Sequence, residues 1–134
     1  MLRDLPPEPL SKLHFGLRIE ARAESWYLER VPSARLLARN FRWRGGEIDL
    51  IFEEPSQLWP GRTELAFVEV RARLPGAWVD GIQSVQGAKV RRIRKGIALF
   101  LARYRGQAYG ARLDLLAWDG TAWEYWQDAA PPQA

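Results

Sequence analysis

Asp49, Glu69 and Arg71 are the residues of this chain whose types and spacing could do chemistry. The two acids sit inside strongly apolar, strand-like runs, Glu-Ile-Asp-Leu-Ile at 47–51 and Phe-Val-Glu-Val-Arg-Ala-Arg at 67–73. An ionised carboxylate in such surroundings is costly unless a cation or hydrogen bonds compensate it. Strand side chains alternate, so Glu69 and Arg71 project from one face of their strand. Like carboxylates brought together repel and raise one pKa unless a cation stands between them. Mg²⁺ or Mn²⁺ would be such a cation, a hard ion that takes carboxylate, water and phosphate oxygens. It would acidify a bound water for attack on phosphorus and neutralise the charge that develops. Arg71 stays protonated, so it could stabilise a phosphate electrostatically but could not act as a base. Spacing alone leaves a second reading open: a buried ion-pair cluster, with Glu69 on Arg71 or Arg73 and Asp49 capping a hairpin.

The elements that must position these residues can be read from periodicity and turn signals. Ile19, Ala23, Trp26 and Tyr27 recur at helical spacing, predicting a first helix from about Gly16 to Arg30 that Pro32 ends. Glu20 lies beside that stripe. Strands are predicted over Arg35–Trp43, Glu47–Phe52 and Leu65–Arg73, the first two joined by an Arg44-Gly45-Gly46 turn. In the second strand, alternation sends Ile48, Leu50 and Phe52 one way and Glu47, Asp49 and Ile51 the other. Pairing it with the third strand could bring Asp49 and Glu69 together. Pro75 to Gly87 reads as a loop, and Ala88 to Arg105 as a helix buried along Val90, Ile93, Ile97, Leu101 and Tyr104. A hairpin follows, Arg112–Trp118 and Trp123–Trp126, around the Asp119-Gly120 turn. The order α-β-β-β-α-β-β predicts a single α/β domain, a mixed five-stranded sheet flanked by two main helices. It would span residues 16–128, between a flexible arm at 1–15 and a flexible tail at 129–134.

Charge adds a partner class. No acidic residue lies between Asp80 and Asp114, while Lys89, Arg91, Arg92, Arg94, Lys95, Arg103, Arg105 and Arg112 all do. A block of one sign favours a polyanion through salt-sensitive phosphate contacts. The alternative is a solvated helix face. The 134 residues suffice for one core, and the absence of cysteine excludes disulfides and thiolate metal sites. No apolar run is long enough for a membrane span and the N-terminus lacks a signal-peptide core, so the cytoplasm is the expected compartment. His14, the one histidine, is expected to play no chemical part. Of the seven tryptophans, Trp78 is the candidate for stacking on an unpaired base, while Trp26, Trp118, Trp123 and Trp126 read as packing.

Arg-Asn-Phe-Arg-Trp-Arg-Gly-Gly-Glu-Ile-Asp-Leu-Ile (39–51), Phe-Val-Glu-Val-Arg-Ala-Arg (67–73), Lys89 and Ala-Arg-Leu-Asp-Leu-Leu-Ala (111–117) resemble the YraN family of bacterial proteins. The resemblance covers Gly16 to Asp128. It implies a restriction-endonuclease-like fold with the PD-(D/E)XK core, similar to archaeal Holliday junction resolvases. It further implies that Asp49 and Glu69 match the motif's acids and that Arg71 occupies its Lys position. Glu20 would match the helical acid that completes the metal shell, giving Glu20, Asp49 and Glu69 as ligands of Mg²⁺ or Mn²⁺. Lys89 would lie near the scissile phosphate, and Arg73, Arg91, Arg92 and Lys95 would bind nucleic-acid backbone. Asn40 would brace the hairpin and Glu47 would support the site from behind the ligands. The expected function is a Mg²⁺-dependent DNA endonuclease acting on branched DNA in recombination or repair, with a symmetric homodimer as the candidate assembly. Two alternatives stand beside it: a non-cleaving DNA- or RNA-binding accessory protein that keeps the fold, and a protein-interaction module. Arg at position 71 departs from the motif, and the Pro55–Glu64 connection is longer than is usual in the family.

Overall fold

Five apolar runs of alternating or continuous type form five strands, and the two stripes of helical period form the helices that cover them. The computed structural model describes residues 12–72 and 87–129. Its elements are α1 (Lys12–Arg30), β1 (Arg35–Trp43), β2 (Gly46–Pro55), β3 (Thr63–Ala72), α2 (Ala88–Arg103), β4 (Gly110–Trp118) and β5 (Trp123–Trp126). The α/β reading with a five-stranded mixed sheet and two helices therefore holds. Arg73 and Trp78 lie outside the described residues, as do residues 1–11 of the expected arm and 130–134 of the expected tail. Helix α1 begins at Lys12 rather than near Gly16, because no proline lies between Pro9 and Pro32 to break it. Helix α2 stops at Arg103, where Tyr104 turns extended (φ −73°, ψ 126°). Among the described residues no helix is long and apolar enough to cross a membrane.

The strands lie in chain order, β1-β2-β3-β4-β5. Only β3 and β4 are parallel, and α2 lies on the chain between them. The other three neighbour pairs are antiparallel. Helix α1 covers one face, where Ala23 and the fully buried Tyr27 meet Leu50, Phe52, Ala66, Val68 and Leu116. Tyr27 stacks on Phe52 at 4.2 Å between centroids. Helix α2 covers the other, packing Ile93 against Ile48, Ile51, Leu65, Phe67 and Leu113.

One expected orientation fails. Ile48 packs on the α2 side with Ile51, not on the α1 side with Leu50 and Phe52. The neighbouring β1 is distorted at the same level, where Asn40 takes a left-handed conformation at φ 51°. Pairing skips from Arg39↔Leu50 to Phe41↔Ile48, so the pleat is broken opposite Asp49.

A close approach fixes α2 on this distorted corner. A Cβ added at Gly96 would meet Trp43 ring atoms at 2.2–2.5 Å, so only glycine lets the helix lie against the indole. Gly96→Ala is expected to destabilise the protein by about 1–3 kcal/mol through overpacking, read as a lower midpoint in urea. A midpoint unchanged from the parent would show that Trp43 moves freely aside.

Candidate functional site

The site grows out of the end of the β2–β3 ladder. Backbone pairing runs from Pro55↔Thr63 to Leu50↔Val68. The next rung would set Asp49 opposite Glu69, but there a side chain replaces the backbone. Val70 N–H donates to Asp49 Oδ2 at 2.8 Å. The strands part at this point and leave a cleft of about 370 Å³, lined by Trp43, Glu47, Asp49, Glu69, Arg71, Lys89 and Arg92. Strand β2 supplies two of the acids, β3 supplies Glu69 and Arg71, and the first turns of α2 supply Lys89 and Arg92.

Asp49 and Glu69 are each 7% exposed, so their charges are poorly solvated. Burial is the largest influence on the Asp49 carboxyl, followed by the charge of Glu69 and a hydrogen bond with it. Together they push Asp49 up to about 10, against the opposing pull of the Val70 N–H. A cation between the two carboxylates would relieve this repulsion. Glu69 also receives Arg71 Nη2 at 3.3 Å and Lys89 Nζ at 3.4 Å.

Glu20 reaches the same corner from α1, where Asn40 Nδ2 donates to its Oε1 at 2.8 Å. Carboxylate oxygens of Glu20, Glu47 and Asp49 all lie within 4.8 Å of one another. A cluster of three carboxylates built on a buried acid suits a hard divalent ion with oxygen preference. The donor set thus fits Mg²⁺ or Mn²⁺.

Most of the residues singled out in the sequence converge here. Asp49, Glu69, Arg71, Lys89 and Arg92 line one cleft, and Glu20 joins Asp49. Glu47, expected behind the ligands, stands among the clustered carboxylates while Arg42 Nε donates to it. Glu69 lies outside that trio, on the side of Asp49 that faces Lys89. Arg91 and Lys95 are exposed on α2 but do not line the cleft. Asp49 does not cap the hairpin; its partner is Val70, across the sheet.

Arg112 requires a correction. Counted with the basic block, it is instead withdrawn from any polyanion, with a side chain 10% exposed and tied to Glu54, Glu64 and Asp114. Trp43 is the cleft residue that sequence reasoning passed over. The signal for it was the following Gly-Gly pair, since a Cβ at Gly45 would meet Trp43 Nε1 at 3.0 Å.

Comparison with known proteins places the chain. Residues 19–117 match the model of a family described as uncharacterised protein family UPF0102. A UPF0102 protein of Burkholderia pseudomallei is 36% identical over 126 residues, covering 94% of this chain and 81% of the relative. One from Ralstonia nicotianae is 35% identical over 126 residues, covering 92% and 91%. The UPF0102 protein YraN of Salmonella newport is 35% identical over 122 residues, covering 90% and 86%. Both β2 and β3, with every cleft residue named above, fall inside the matched span, and the chain belongs to the UPF0102 family, that of the YraN proteins.

Proposed function

We propose that this protein is a divalent-metal-dependent nuclease with a restriction-endonuclease-like fold, and that its substrate is DNA. The observation that carries the reading is the buried Asp49 at the splayed end of β2 and β3. Three further carboxylates (Glu20, Glu47 and Glu69) surround it, and Arg71, Lys89 and Arg92 line the same cleft. Acids that repel one another this closely favour a cation, and cations on the facing wall favour a phosphate. Branched DNA is the substrate class that the resemblance to resolvases favours.

Asp49 with Glu20 and Glu47 or Glu69 would hold Mg²⁺ or Mn²⁺. The bound ion would acidify a water and take up charge on the phosphorus oxygens. Arg71 would offer its guanidinium to the phosphate, fixed in charge at every working pH. Lys89 and Arg92, at the start of α2, would seat the backbone on either side. Glu69 would hold Arg71 and Lys89 in place through its two ion pairs.

A screen of linear, nicked, flapped and four-way-junction DNA with Mg²⁺ and Mn²⁺ tests this. Cleavage is expected, and Asp49→Asn is expected to reduce it by about 10³-fold or more, the scale of several kcal/mol of lost transition-state stabilisation. Arg71 in the motif's lysine position favours a second reading, a nucleic-acid-binding protein that keeps the fold without cutting. Salt-sensitive binding with no cleavage of any substrate would select it. Absence of binding at low salt would overturn both.

A further inference from the structure

At the other end of β2 the chain builds a surface that the acidic cleft does not use. The turn from Ser56 to Arg62 is closed on itself. Ser56 Oγ accepts the N–H groups of Leu58 (3.2 Å) and Trp59 (3.1 Å). Ser56 N–H donates to the Arg62 carbonyl at 2.8 Å, and Arg62 N–H to the Trp59 carbonyl at 3.0 Å. This knitted turn lifts Trp59 into solvent at 56% exposure, with Leu58 beside it at 79%. Tyr109, 54% exposed, is brought alongside because its N–H donates to the Thr63 carbonyl at 2.7 Å. The Trp59 and Tyr109 rings lie 6.3 Å apart, tilted by 58°, and the Arg62 guanidinium sits 4.5 Å from the Tyr109 centroid. Two aromatic faces and a cation thus stand together on a held turn, where isolated exposed apolar residues would need no explanation.

The charge around this surface points to the occupant. The acids at this end are already engaged: Glu53 by Arg35 and Tyr104, Glu54 by Arg112 and Tyr27, and Glu64 by Arg112. Arg62, Arg103 and Arg105 are exposed, so positive charge is in excess. A second copy docking here about a two-fold axis would set those arginines against themselves. An apolar protein partner would have to desolvate them without recompense. A strand of nucleic acid meets both features, its bases stacking on the rings and its phosphates facing the arginines.

The surface also connects with the cleft. From Asp49 to Pro55 is about 20 Å along β2 at the rise of a strand. Helix α2 spans the same interval, from Lys89 at the cleft to Arg103, and Tyr104 next to it donates its hydroxyl to Glu53. Its described residues carry no acid.

We infer that Trp59, Tyr109 and Arg62 form a stacking platform for unpaired bases, joined to the cleft by a helix whose cations stand at its two ends, Lys89 to Lys95 and Arg103. This deepens the nucleic-acid reading above by naming the substrate class, a nucleic acid with a single-stranded segment. The platform itself needs no cleavage to operate.

Fluorescence anisotropy with labelled oligothymidylate, and with a duplex of equal length, tests the platform. Trp59→Ala and Tyr109→Ala are each expected to weaken oligothymidylate binding about 10-fold or more, the scale of one lost stacked base. Trp59→Phe is expected to retain most of the binding, and duplex affinity to stay unchanged throughout. Photo-crosslinking of a bromouracil-substituted strand is expected to label the Trp59 or Tyr109 peptide. Unaltered oligothymidylate binding in both alanine variants, or equal loss for strand and duplex, overturns the inference. So does a parent protein that binds no single strand at low salt, or a self-association that Trp59→Ala dissolves. Oligothymidylate binding that depends on Trp59 supports the platform even where the cleft is found not to cut, so the two readings fail separately.

Discussion

Replacing Arg112 with methionine is expected to destabilise the protein by about 3–5 kcal/mol, the cost of leaving buried charge without its partner. The guanidinium is the hub of a polar network between α1 and the sheet. Its Nε donates to both oxygens of Asp114, at 3.0 and 3.1 Å. Its Nη2 donates to Glu54 at 2.7 Å and to the Tyr27 hydroxyl at 3.0 Å, and its Nη1 to Glu64. Tyr125 and the Asp128 N–H complete the shell around Asp114, which is wholly buried. Burial already pushes the Asp114 carboxyl up, and the Arg112 charge is the largest influence pulling it down. Removing that charge raises it further, so the folded variant would hold protons that the unfolded chain releases. A carboxyl raised in the folded state contributes stability below its unfolded pKa and loses it as pH rises. The deficit of Arg112→Met should therefore be smallest near pH 4 and grow toward pH 8, read by urea denaturation at both. A loss under about 1 kcal/mol at neutral pH would mean that methionine packs as well as the ion cluster does.

That network also marks what the sequence made legible. Strand and helix order could be read because each run carries its own period and the turns carry glycine or Asp-Gly. The meeting of Asp49 with Glu69 was legible only as one possible pairing of two strands, because the long connection from Pro55 to Arg62 leaves their register open. The structure sets it at Leu50↔Val68. Glu47 was legible as an acid beside the site, but its grouping with Glu20 and Asp49 depends on how α1 lies across the sheet. Arg112 could not be read as buried, since its partners Glu54 and Glu64 are 58 and 48 residues away. The face of Ile48 was illegible for a different reason. It accompanies a left-handed Asn40 in the neighbouring strand, a conformation that local propensity permits but does not announce. Trp43 left a local trace in the Gly-Gly pair that follows it, but its place in the cleft depends on Gly96, across the sheet on α2. Non-local pairing sets all three.

Exchanging Asp49 for asparagine is expected to stabilise the metal-free protein while removing its response to metal, raising Tm by roughly 5 °C or more at pH 8. The Val70 N–H keeps an acceptor in the asparagine oxygen, and the new amide can donate to Glu69 without placing a second negative charge beside it. The wild-type carboxyl sits at about 10 in the fold, against about 3.9 in an unfolded chain. Its folded pKa is raised, so its contribution is fully present below about pH 4 and is lost progressively as pH rises toward 10. Metal-free wild type should thus lose stability across that interval, and the asparagine variant should lose much less. Adding Mg²⁺ inverts the comparison. An ion bound only by the folded state stabilises by mass action, about 2.7 kcal/mol at a concentration 100-fold above Kd. It does so more strongly at high pH, where protons compete less for the Asp49 carboxylate. Wild type should gain Tm on titration with Mg²⁺ or Mn²⁺, and Asp49→Asn should not. A buried ion-pair cluster predicts otherwise: with Arg71 and Lys89 already opposite Glu69, neither protein would respond to the metal, and the asparagine variant would stay ahead throughout. The sign of the metal effect at constant pH therefore separates a site that evolution holds open at a cost in stability from a cluster whose charges merely balance.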